Sequence, residues 1–199
     1  MWVSPHHVHP HDGLLHALRT DHANRAAYVE AIRQRLGSTE LQQRTGAIAL
    51  LHEVLPDIGV DRALSALHSA PLLPGQRPAW RIDVTDLEQA AARAFAACAT
   101  PADANTIAWL KTLAHHPSHA PFVLSALARL DPDWLLAHPN LVSHTNLAVL
   151  AALPPERRFA LIDALAPWPP EVPTVLTRLF WKRLPAAESA RLRARIWKT

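Results

Sequence analysis

The chain has 199 residues, 49% of them hydrophobic and 19% charged, with a formal net charge of +3. That apolar fraction supports a sizeable buried core and excludes the low-hydrophobicity class of disordered chains. One cysteine, Cys98, excludes an intrachain disulfide framework and any metal site built on several thiolates.

The positive charge is unevenly placed. From Arg178 to Thr199 seven basic residues stand against one acidic, a local balance of +6, so residues 1–177 carry −3. The basic residues are 17 Arg and 3 Lys among abundant Ala and Pro, a composition that points to GC-rich bacterial coding. No apolar run of about 18 residues is present, so no membrane span is expected. Met1-Trp2-Val3-Ser4-Pro5-His6-His7 is neither basic nor continuously apolar, so the expected location is the cytoplasm.

In chain order, residues 1–22 hold Pro5, Pro10 and six of the thirteen histidines and read as an irregular leader. Residues 23–199 read as a single helical-repeat domain. A first helix is expected from near Asn24, with Val29, Ile32 and Leu36 on one face and Gly37 as a left-handed terminator. Thr39 and Gln42 have capping-box spacing for a second helix, which buries Leu41, Ile48, Leu51 and Leu55 before Pro56 stops it. Val60, Leu64 and Leu67 define a third. Residues 70–82, with Pro71, Pro74, Gly75 and Pro78, read as the longest internal loop, and Trp80, Ile82 and Val84 alternate as in locally extended chain. Thr85 and Glu88 cap a helix that turns Leu87, Ala91, Ala94 and Cys98 inward. Thr100, Pro101 and Asp103 signal the next start, with Ile107, Leu110 and Leu113 as its face.

Beyond that point Pro117, Pro132, Pro154, Pro169 and Pro185 lie 15, 22, 15 and 16 residues apart. Pro139 divides the long interval as 7 plus 15; each interval of about 15 holds one short helix, and two make a unit of roughly 30 residues, the scale of a helical hairpin repeat. Leu153-Pro154 with Leu161 and Leu165 matches Leu184-Pro185 with Leu192 and Ile196 at a shift of 31. The segments Arg44 to Leu55, Phe122 to Leu130 and Leu147 to Leu153, over residues 38–197, resemble HEAT-like α-solenoid hairpins. The expected fold is therefore all-α, a right-handed stack of about nine or ten short antiparallel helices. The resemblance implies a scaffold whose exposed helix faces bind a partner.

No catalytic signature stands out. His7, His9 and His11, beside His6, are the metal-ligand candidates, but a proline-containing leader gives no fixed geometry, so no metal or other cofactor is expected. His115, His116 and His119 surround Pro117 and Ser118 at a helix joint, with Ser118 as the expected cap of the next helix. Asp131 and Asp133 flank Pro132 and read as a helix start. No Gly-x-Ser-x-Gly turn or phosphate-cradling loop is present, and Cys98 reads as a small core residue. Trp109, Trp134, Trp168 and Trp181 lie near helix ends, where large rings fill joints or anchor a partner.

The function expected is thus a non-catalytic protein interaction module, an adaptor, chaperone or immunity-type binder. Arg178, Trp181, Lys182, Arg183, Arg191, Arg195 and Lys198 are the candidates to meet a partner protein with an acidic surface. A nucleic-acid-binding repeat protein is the alternative, if Arg25, Arg33, Arg44, Arg62 and Arg93 form one basic stripe. A histidine-dependent metalloenzyme is the third.

Overall fold

The computed structural model describes residues 10–70, 84–143, 146–165, 173–174, 178 and 184–196. Among the described residues there are twelve α-helices and one 3-10 turn, with no strand. The fold is all-α and built of short helices, as expected. The chain forms two compact units, residues 1–106 and 107–199.

The first unit carries α1 (Pro10–Thr20), α2 (Arg25–Leu36), α3 (Leu41–Ala49), α4 (Leu51–Ile58), α5 (Val60–His68) and α6 (Val84–Cys98). The irregular leader is corrected over Pro10–Thr20. Pro10 takes the first helical position, where its missing N–H and fixed φ cost nothing, and α1 packs on α2 with Leu18 wholly buried.

Helices α2 and α5 bury Val29, Ile32 and Leu36, and Val60, Leu64 and Leu67, as their spacing predicts. The single helix expected from Leu41 to Leu55 is instead two. Leu50, at φ −97° and ψ 0°, separates α3 from α4, while Leu41, Ile48, Leu51 and Leu55 all remain buried. Pro56 does not stop α4; it sits inside the helix on an exposed position, and the chain breaks at Gly59, whose φ of +83° favours glycine. The Thr39–Gln42 capping box is absent too. Glu40 precedes α3 without a side-chain cap bond, and Ser38 Oγ accepts the Glu40 N–H at 3.1 Å.

Gly37 has an ordinary φ of −89°, so its expected left-handed role is corrected. What it supplies is room: a Cβ there would lie 2.6 Å from Ser69 Oγ and 3.1 Å from the Ala66 carbonyl oxygen. The end of α2 thus passes close to the end of α5. At the opposite end Arg25 of α2 pairs with Asp57, just ahead of α5. Helices α2 and α5 therefore lie side by side and run the same way, with α3 and α4 as the returning limb.

Helix α6 packs on α3 and α4 and buries Leu87, Ala91 and Ala94, and also Ala92, Phe95 and Ala96, with Ala99 buried just past its end. Cys98 is half-buried and not a core residue. The loop beyond Ala70, the alternation from Trp80 to Ile82, and the Thr85 side chain lie outside the described residues. Thr100 does not open a helix at Pro101. Its N–H and hydroxyl donate to the Asp103 carboxylate at 2.6 and 2.8 Å, and α7 begins at Ala104.

Arg44 of α3 is only 2% exposed. Its Nη2 donates to the Leu67 carbonyl at the end of α5, a site favourable for a cation. Its Nε and Nη1 have no hydrogen-bond partner among the described residues, and burial pushes the guanidinium below its ordinary pKa. A buried charge without a carboxylate costs several kcal/mol, so Arg44→Met should stabilise the protein by about 1 kcal/mol or more. A denaturant midpoint that rises at unchanged m-value bears this out; a fall shows that the bond to Leu67 outweighs the desolvation.

The second unit contains the larger part of α7 (Ala104–Leu113), then α8 (Ala120–Leu130), α9 (Pro132–Ala137), a 3-10 turn (Pro139–Leu141), α10 (Val149–Ala152), α11 (Pro155–Ala164) and α12 (Ala186–Ile196). Ile107, Leu110 and Leu113 are buried, as their period requires. Asp131 caps α9, accepting the Trp134 N–H at 3.1 Å with Pro132 in the first turn, as its sequence signal predicts. Helix α8 packs on α9 and α10, and α11 on the same two. Arg158 and Asn146 are buried polar residues at the joints of this layer.

Candidate functional site

An open groove of about 1130 Å³ runs along the first unit between α2 and α5. It arises from the side-by-side course of these helices and from small residues on their facing sides. Its apolar lining comes from Ala26 and Val29 of α2, Ile58 at the end of α4 and Ala66 of α5. Along α5 the groove is lined by Arg62, Ser65 and Ser69, spaced three and four residues apart and so on one side of that helix. All three are exposed.

The charged side chains at this groove differ in how fully they are engaged. Arg25 Nη1 donates to the Leu18 carbonyl at 2.7 Å and Nη2 to the Glu53 carbonyl at 3.0 Å, besides its pairing with Asp57. It ties the ends of α1 and α4 to α2 and is part of the framework. Arg33 grips the Glu30 carboxylate through Nε at 2.8 Å and Nη2 at 2.6 Å. That bond first, then one from Gln34, holds the Glu30 carboxyl down to about 2, so the Arg33–Glu30 pair stays ionised through the neutral range. Arg62 has no ion pair among the described residues.

The candidates named from sequence fall elsewhere. Arg191 and Arg195 of α12 lie over the buried Phe159 ring, with guanidinium carbons 4.6 and 4.9 Å from its centroid. They also pair with Glu156 at 3.4 Å and Asp163 at 2.9 Å on α11. The structure thus brings these two together, facing acidic residues of their own chain. Arg178 is exposed. Trp181, Lys182, Arg183 and Lys198, and the metal candidates His7 and His9, lie outside the described residues, as does the side chain of His11. Among the described residues no group of three or more His, Cys, Asp or Glu is arranged to hold a metal.

The histidine-rich joint of the second unit satisfies itself. His119 precedes α8 without a side-chain cap bond, and Ser118 Oγ lies 2.7 Å from His116 Nδ1 and 2.8 Å from His119 Nδ1, with His119 buried. Trp134 stacks on His138 at 4.3 Å, meets the edge of His115 at 6.5 Å, and takes Lys111 Nζ 5.6 Å from its ring centroid. Lys111 is held in turn by Asp131 at 2.7 Å. Such a half-buried stack fills the joint between helices.

Arg25, Arg33 and Arg62 are visible in the sequence as basic residues, but their meeting at one groove is not. The missing signal was Gly37: a glycine at a helix end followed some thirty residues later by Ser65-Ala66 and Ser69 marks a close helix pair. No protein-family model, no curated protein and no solved structure matches this chain.

Proposed function

We propose that the protein is a non-catalytic interaction module, a HEAT-like helical-repeat scaffold that binds another protein in the groove between α2 and α5. The observation that carries this reading is the groove itself, lined by apolar and charged residues along two adjacent helices. A mixed apolar and polar lining of this kind is in keeping with a protein interface, which is about as apolar as the rest of a protein surface. A surface formed by successive parallel helices suits an extended or helical partner segment. Nucleic acid is less well served: Arg25 and Arg33 are held in ion pairs and Arg44 is buried, so the arginines do not make a free basic stripe.

A photo-crosslinking amino acid placed at Ser65, with the exposed Arg129 position as control, tests this in cells of the source. A discrete crosslinked protein at position 65 and not at 129 is expected. Absence of any adduct specific to position 65 overturns the assignment of the groove.

A further inference from the structure

We propose that the occupant of the α2–α5 groove is an acidic protein segment, anchored by a carboxylate on Arg62; this rests on reading the groove as a docking site. Two observations carry it. First, residues 1–106 hold nine basic and eleven acidic residues, a balance of −2. The groove reverses that sign, since it gathers Arg25, Arg33 and Arg62 against Glu30 and Asp57, with His22 at one end. Second, the surplus charge is located on a particular side chain. Asp57 and Glu30 are consumed by Arg25 and Arg33, which leaves Arg62 with its donor fork unoccupied by a carboxylate among the described residues.

The geometry of α5 extends the match. Ser65 and Ser69 follow Arg62 on the same side of the helix. The Ser69 hydroxyl donates to the Ala66 carbonyl at 2.7 Å and keeps its oxygen as an acceptor. An incoming segment therefore meets a guanidinium at one end of the stripe and, at Ser69, an oxygen that accepts a backbone N–H of the segment. A carboxylate on the segment suits Arg62 because Arg presents parallel N–H donors to its two oxygens. A basic segment would leave Arg62 facing a like charge.

The test uses the full chain and a fluorescein-labelled oligoglutamate peptide read by fluorescence anisotropy. Oligoglutamine of equal length and an oligothymidine serve as comparison probes. Oligoglutamate should bind, with affinity falling as salt rises because exposed charges are screened beyond about 8 Å at physiological ionic strength. Arg62→Glu should weaken binding at least about tenfold, while Arg191→Ala with Arg195→Ala leaves it unchanged. The substituted position lies in the first turn of α5, where the helix dipole favours an acid, so an unchanged thermal melt separates lost binding from lost folding.

Equal affinity for oligoglutamine, tighter binding of oligothymidine, no binding of oligoglutamate, or loss at Arg191 and Arg195 in place of Arg62 would each overturn the proposal. The groove's role as a docking site is judged separately. An adduct at position 65 that forms equally well in Arg62→Glu leaves docking intact and removes the acidic anchor. No adduct in the unaltered protein removes docking itself.

Discussion

Arg158→Ala is expected to destabilise the second unit by about 3–5 kcal/mol, the cost of removing one partner from a buried, hydrogen-bonded ion pair. The residue is 7% exposed and each nitrogen has a defined acceptor. Nε donates to the Leu150 carbonyl at 2.8 Å and Nη2 to the Leu153 carbonyl at 3.1 Å. Both carbonyls come from the end of α10, a helix of four residues too short to satisfy its own C-terminus. Nη1 donates to Glu188 of α12 at 2.9 Å. One guanidinium therefore closes α10, fixes α11 and ties down α12. Deleting it leaves the Glu188 carboxylate and two carbonyls without their donors. Urea unfolding followed by circular dichroism should show a much lower midpoint for Arg158→Ala. Arg158→Lys should recover only part of the loss, because an ammonium cannot reach three acceptors in one plane. A loss under about 1 kcal/mol would mean that water replaces the guanidinium and that the latch is dispensable.

The contrast with Arg44 follows from the same physics. Arg158 has an acceptor for every nitrogen and a carboxylate to balance its charge; Arg44 has one carbonyl and no carboxylate among the described residues. Both are buried arginines on short helices, yet removing one should harm the protein and replacing the other by methionine should help it. The deciding quantity is whether donors and charge are matched after desolvation, not whether an arginine is buried.

Legibility in the sequence follows a similar divide. Val29, Ile32 and Leu36, then Val60, Leu64 and Leu67, then Ile107, Leu110 and Leu113, are all buried, because helical burial repeats with a period that sequence spacing exposes directly. Breaks were less legible. Pro56 reads as a terminator in the sequence, yet the chain turns at Gly59, and α3 ends before Leu50, where no local signal marks a bend. Helix α1 was hidden because histidine and proline dominate its surroundings, although Leu14 and Leu18 stand four apart on one face. The groove was the least legible feature. Its arginines lie on helices about thirty residues apart in sequence, and only the pairing of α2 with α5 brings them together. At the C-terminal end the excess of basic residues was legible, but the acids of α11 that face Arg191 and Arg195 were not.

Phe95→Ala is the substitution expected to weaken the first unit most, by about 3–5 kcal/mol. Phe95 is 0% exposed, and its neighbours on the buried side of α6 are Ala91, Ala92, Ala94 and Ala96. Helix α6 therefore brings little bulk to its contact with α3 and α4. Leu87 near its start and the Phe95 ring supply most of it, so truncating the ring removes much of the helix's buried apolar surface at once. Alanine side chains beside the gap are too short to turn into it, so collapse can recover little of the lost packing. Cys98→Ala, one turn further along and only half-buried, should change stability by no more than about 0.5 kcal/mol, as substitutions away from the core usually do. Measured side by side in urea, the two variants test whether α6 is held at a single ring. If Phe95→Ala costs no more than Cys98→Ala, the helix is fastened to the unit by something other than its core face.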